Sequence, residues 1–167
     1  MARKTKVSAA SFVEFGYGQV EPNHLSAQRT AQIYAQLPMA ETVEKLENGQ
    51  YVKYNYSAGA VDFEGAGEWM LVFNEVKVYD VREQDEDYVM TKNNGGTPRV
   101  FKTNVGDIYT TNMVNGTADT LTEGKKLAPN ATGVLEITEE TEGMLWEIAK
   151  VYTLADGQAA VKIMRIQ

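Results

Sequence analysis

A chain of 167 residues, 43% hydrophobic and 23% charged, is long enough to enclose a core of its own as one domain, and its composition excludes wholesale disorder. It has no cysteine and one histidine, which excludes disulfides, thiolate sites, cysteine nucleophiles and multi-histidine metal centres. The net charge is −7; residues 1–12 hold Arg3, Lys4 and Lys6 and no acid, so the rest carries −10, that is −7 less +3.

Such an acidic body repels phosphates, so nucleic acid is not an expected partner. The basic beginning lacks the apolar stretch of a signal peptide, and no run approaches the length of a membrane span. The N-X-Ser/Thr matches at Asn55, Asn115 and Asn130 read as chance without a secretion signal.

Residues 1–37 are rich in Ala, Ser and Gln and poor in β-branched runs, and they read as an extended N-terminal arm. Asn23 could cap a short helix over 25–31, whereas Ile33, Ala35 and Leu37 alternate as a strand does. Pro38 ends either element. Residues 38–167 then read as a β-domain that should stay folded without the arm. Asn48-Gly49 lies between 43–46 and 51–54 and has the turn chemistry of a hairpin. Residues 60–63 form a further short strand. Over 69–79 the apolar parity changes between Phe73 and Val76, which calls for a bulge near Asn74-Glu75 or for two covered faces. An acidic run (83–87) and a Gly-rich loop (93–98) follow. Strands are expected over 100–103, 107–114 and 131–137, with a charged loop over 138–143. The last hairpin joins 145–154 to 158–166 across Asp156-Gly157. Short strands with turn signals at this spacing predict an all-β fold, a small antiparallel barrel or sandwich.

Little catalytic chemistry is available. A Ser-His-acid triad needs His24 as its base, and no nucleophile elbow surrounds any serine. Carboxylate pairs that could serve a hydrolase are Asp62 with Glu64, Glu68 with Glu75, and Asp85 with Asp87. Paired acids on one strand face are also what a solvated face looks like. Asp85, Glu86 and Asp87 lack the glycine and distal Glu of an EF-hand loop. No metal or other cofactor is expected.

Two stretches resemble small virion proteins encoded among the head genes of tailed phages. One is Gly18-Gln19-Val20-Glu21-Pro22-Asn23-His24-Leu25-Ser26-Ala27-Gln28-Arg29-Thr30, continuing to Ile33-Tyr34-Ala35-Gln36-Leu37. The other comprises Gly106-Asp107, Leu127-Ala128-Pro129-Asn130-Ala131-Thr132-Gly133 and Lys150-Val151-Tyr152-Thr153-Leu154-Ala155-Asp156-Gly157, which is similar to the compact β-domains of capsid decoration proteins. The resemblance implies a non-catalytic capsid decoration, or cement, protein on the outside of a virion assembled in the bacterial cytoplasm. Its partner would be the major capsid protein, with self-association, the trimer being the candidate form. Arg3, Lys4, Lys6 and Arg29 would supply charged contacts, and Phe12, Phe15, Tyr17, Leu25, Ile33, Tyr34 and Leu37 apolar anchors. The same aromatic residues could instead pack onto the chain's own core. The alternative function is a carbohydrate- or host-binding β-module of a head fibre or tail, with Trp69, Trp146 and tyrosines stacking on sugar. A small carboxylate hydrolase is the third reading.

Overall fold

The computed structural model describes residues 10–13, 18–26, 37–74, 90–91 and 96–167. These form an essentially all-β protein in which two mostly antiparallel sheets pack as a sandwich. In chain order the strands are β1 (Val20–His24), β2 (Lys45–Leu46), β3 (Tyr51–Asn55), β4 (Ala60–Asp62), β5 (Met70–Val72), β6 (Met90–Thr91) and β7 (Val100–Phe101). Next come β8 (Ile108–Thr111), β9 (Val114–Asn115), β10 (Lys126–Pro129), β11 (Leu135–Ile137), β12 (Trp146–Thr153) and β13 (Ala159–Arg165). The larger sheet runs β1-β8-β13-β12-β10-β11-β9, with only its β11–β9 pair parallel; the smaller runs β4-β3-β5-β7, and β2 pairs with β6 alone.

Strand alternation sends β3 and β5 into two cores at once. Tyr51 and Leu71 face the larger sheet and pack with Tyr109, Trp146, Ile148, Val161 and Ile163. Their neighbours Val52, Tyr54, Met70 and Val72 point the other way, into a second core with Val61, Val100, Met39, Val43 and Leu46. Both faces of the smaller sheet are therefore covered, which accounts for its continuous apolar runs. No bulge at Asn74-Glu75 is needed: β5 stops at Val72, and the Asn74 backbone N–H donates to Asn48 Oδ1 at 2.7 Å. Glu75 lies outside the described residues.

The final hairpin forms as its turn chemistry dictates. Trp146 pairs with Arg165 and Thr153 with Ala159, and the Gly157 N–H donates to the Leu154 carbonyl at 2.9 Å. A register shift lies between Ile148 and Lys150. The Asn48-Gly49 turn also forms, closed by Gln50 N–H on the Glu47 carbonyl at 3.2 Å, but it is not a hairpin. Its flanks β2 and β3 go to different partners, β6 and β4 with β5.

The expected boundary at residue 37 also differs from what the sheets show. Val20–His24 is neither arm nor helix: it is the edge strand β1, antiparallel to β8, with Pro22 at a sheet edge, where its missing N–H is tolerated. Phe12 and Leu25 are buried in the main core, and Ala10 and Val13 pack with Met113 and Val134. Removing residues 1–37 would strip a strand and core side chains from the sandwich. The described part of that stretch is thus built into the domain.

Gly133 fixes how β3 approaches the 130–134 turn. Its φ is +71°, a Cβ there would stand 1.9 Å from the Tyr51 carbonyl oxygen, and that turn closes on Tyr51 N–H at 2.7 Å. Gly157 has φ +89° but open space around it. Gly133→Ala should therefore cost about 3 kcal/mol or more, and Gly157→Ala about 1 kcal/mol, read from urea unfolding midpoints. Equal losses would show that backbone conformation alone, and not the close approach, governs the 133 position.

Candidate functional site

The buried polar side chains converge on the N-terminal segment. The Asp107 carboxylate is buried and accepts Ser26 N–H at 2.9 Å, Ser26 Oγ–H at 3.0 Å and Asn104 N–H at 2.9 Å. Buried Asn112 accepts Gln19 N–H at 2.7 Å, and the Thr111 hydroxyl donates to the Gln19 carbonyl at 2.7 Å. Buried Glu47 accepts Gly18 N–H at 2.8 Å. The Ser11 hydroxyl donates to the Gly116 carbonyl and accepts Gly116 N–H at 2.7 Å. Burying a polar group without a partner costs about 1–3 kcal/mol, so each side chain here is committed to the segment it holds. Gln19 Nε2 also donates to Asp156. Slight burial pushes the Asp156 carboxyl up, but hydrogen bonds from Gln19 and Gln158 outweigh it and hold the carboxyl below its usual range.

This clasp contains a serine and an aspartate beside the chain's one histidine, but not a triad. Ser26 Oγ bonds Asp107 directly and accepts from Asn104 Nδ2 at 2.7 Å, and His24 is exposed at the end of β1. The proposed acid pairs fare similarly. Asp62 is buried and caps the turn after β4, accepting Glu64 N–H at 2.9 Å, Gly65 N–H and Asn55 Nδ2 at 2.9 Å. Glu68 pairs with Lys102 at 3.1 Å. Glu75 and Asp85 to Asp87 lie outside the described residues. Among the described residues no group of three or more His, Cys, Asp or Glu is placed to hold a metal, and no helix is long and apolar enough to cross a membrane.

Of the residues expected to meet a partner, Phe12 and Leu25 are buried in the main core and Leu37 packs half-buried on the second. These three pack on the chain itself. Arg3, Lys4, Lys6, Phe15, Tyr17, Arg29, Ile33 and Tyr34 lie outside the described residues. Of the two sugar-stacking candidates, Trp146 is fully buried, while Trp69 is half-exposed with Lys53 Nζ 4.4 Å from its ring centroid.

Trp69 lines a groove of about 340 Å³ together with Pro129, Glu136, Ile137, Met144 and the 138–143 loop. Its acids are Glu136, Glu140 and Glu142. Glu136 accepts Asn130 Nδ2 at 3.1 Å, and the loop is shaped by Glu140 N–H on Thr138 Oγ1 at 3.1 Å. Sequence reasoning marked 138–143 only as a charged loop. The acid run Glu136, Glu139, Glu140, Glu142 was its visible signal, but nothing local places Trp69 beside it.

The most strongly perturbed titratable groups lie in neither place. The Tyr51 and Tyr109 hydroxyls share a 2.6 Å hydrogen bond inside the main core, with Trp146 edge-on to Tyr109 at 5.1 Å. Burial pushes both phenols above their usual value of 10.0. A phenol whose folded pKa is raised binds its proton longer than the unfolded chain does, so this stability is complete below about pH 10 and falls as pH rises beyond it. Tyr51→Phe or Tyr109→Phe should each cost about 1–2 kcal/mol by stranding the partner hydroxyl. The double Phe variant should recover part of the loss and flatten the alkaline unfolding curve. Additive losses in the cycle would mean that the two hydroxyls are not coupled.

Comparison with protein-family models, with curated proteins and with solved structures returned no match.

Proposed function

We propose that this chain is a capsid decoration protein of a tailed-phage virion, a non-catalytic β-sandwich that binds and stabilises the lattice of the major capsid protein from outside. The observation that carries this reading is the clasp. Glu47, Asp107, Asn112 and Ser11 spend their hydrogen bonds on fixing an N-terminal segment that begins with +3 to a body that carries the chain's negative charge. A segment tied to a sandwich at several points can transmit force between that sandwich and whatever the segment grips. The phage-like stretches quoted above include Gly18, Gln19, Ser26 and Asp107, all members of the clasp.

On this reading the contacts to the shell come from Arg3, Lys4, Lys6, Phe15, Tyr17, Arg29, Ile33 and Tyr34. Phe12 and Leu25 hold the segment to its own domain instead. Many copies on a repeating lattice make weak contacts sufficient through avidity. Self-association, with the trimer as candidate form, belongs to the same proposal.

Quantitative mass spectrometry of purified particles from the source lysate tests it. The expected result is a copy number comparable to that of the major capsid protein. A few copies per particle would move the chain to a vertex, fibre or tail, and complete absence would remove the virion reading. Deleting residues 1–37 is a poor companion test because the sandwich would lose β1, Phe12 and Leu25. Charge reversal at Arg29, which keeps the chain's length and its described core, should instead lower particle occupancy while leaving the unfolding midpoint unchanged.

A further inference from the structure

We propose that the groove beside Trp69 is the docking site of this chain's own basic N-terminal end, Arg3 to Lys6, in the free protein. This does not rest on the virion reading, and it is tested without particles.

The groove has the chemistry of a receptor for lysine or arginine side chains. Trp69, Ile137, Met144 and Pro129 offer apolar surface for an aliphatic stem, and the carboxylates of Glu136, Glu140 and Glu142 rim it with no cation among its lining residues. Those acids do not converge on one point in the way a metal site requires. Spread charges suit a ligand that spreads its own, as a segment with Arg3, Lys4 and Lys6 does. The lining has the volume for side chains rather than for a folded partner, at about 340 Å³.

Chain geometry favours the same molecule as the source. Ala10 is buried against a cluster that includes Val134, and Glu136 follows two positions later, about 7 Å along the strand. Lys6 precedes Ala10 by four positions, which allows about 14 Å of backbone, before the lysine side chain itself is added. A tethered segment with that reach has an effective concentration of order millimolar, which a second copy in dilute solution does not match. The clasp at Ser11 and Gly116 keeps the starting point fixed.

Zero-length carbodiimide coupling of the full-length protein tests this. The reagent activates a carboxylate, a touching lysine amine displaces it to form an amide, and the lost water leaves as the urea. Digestion and mass spectrometry then locate the link. Coupling is run at low dilution of an equal mixture of isotopically light and heavy protein. The expected result is a link from Lys4 or Lys6 to Glu136, Glu140 or Glu142 between peptides of the same isotope. Its yield should fall several-fold between about 0.01 M and about 1 M salt, as the Debye length shrinks from about 30 to about 3 Å. It should fall again in Glu140→Gln/Glu142→Gln, whose fold is checked by its unfolding midpoint. Links of mixed isotope would assign the groove to a second copy and overturn the proposal. It is equally overturned if Lys4 and Lys6 never link to the groove while the Lys102–Glu68 pair, 3.1 Å apart, does couple.

Discussion

The hydrogen bond between Tyr51 and Tyr109 joins the two layers of this protein. Tyr51 comes from β3 of the smaller sheet and Tyr109 from β8 of the larger, and Trp146 of β12 packs against both rings. Each aromatic side chain buries a large apolar area, so truncating any of them would cost about 3–5 kcal/mol. The hydroxyl pair adds direction to that burial. Two buried phenols must find each other or lose their hydration for nothing, so the sheets are held in one register and not merely pressed together. The same burial keeps both phenols neutral, which makes them parts of the scaffold and not reagents.

Once the sheets are fixed, the smaller one becomes the middle of the molecule. One of its faces meets Trp146 and Tyr109, and the other meets Met39, Val43 and Leu46 from the 39–46 stretch. The chain before it is held by polar side chains instead of apolar area. Asp107 and Asn112 flank β8, and both accept backbone N–H groups from the segment on either side of β1. A strand as polar as Val20–His24 cannot earn its place by burial, since it is half-buried at best. It is kept by directed hydrogen bonds from buried acceptors.

That difference explains what could be read from residues alone. The last hairpin was legible because its turn and both strands are contiguous, so local chemistry decides it. Two covered faces at 69–73 were legible as one of two options, and the second core selects that one. β1 was not legible, because Pro22, Asn23 and His24 argue against a strand while Thr110, Thr111 and Asn112, some ninety residues away, argue for it. The Asn48-Gly49 turn failed as a hairpin for the same reason: β2 finds its partner at Met90–Thr91. The Tyr51–Tyr109 pair and the meeting of Trp69 with the 136–144 loop are long-range in the same sense. Periodicity shows which residues want burial, but not which buried residues will touch.

The edges of the sandwich constrain where anything can bind. A bare sheet edge invites strand addition, and both ends of the larger sheet are guarded. At one end β1 carries Pro22 and a register shift between Pro22 and His24. At the other, the carbonyl and N–H of Gly116, just past β9, are both taken by Ser11. Simple augmentation by a neighbour's strand is therefore disfavoured at either end. With both faces of the smaller sheet covered as well, recognition falls to side chains on loops and on the segment before Ala10. The chain's charge is distributed accordingly: acids crowd the 136–142 stretch, and the cations gather ahead of the clasp. Opposite charges held on one scaffold within chain reach of each other cannot be independent at physiological salt, where the Debye length is about 8 Å. Any partner that takes the basic end must compete with the body that carries it.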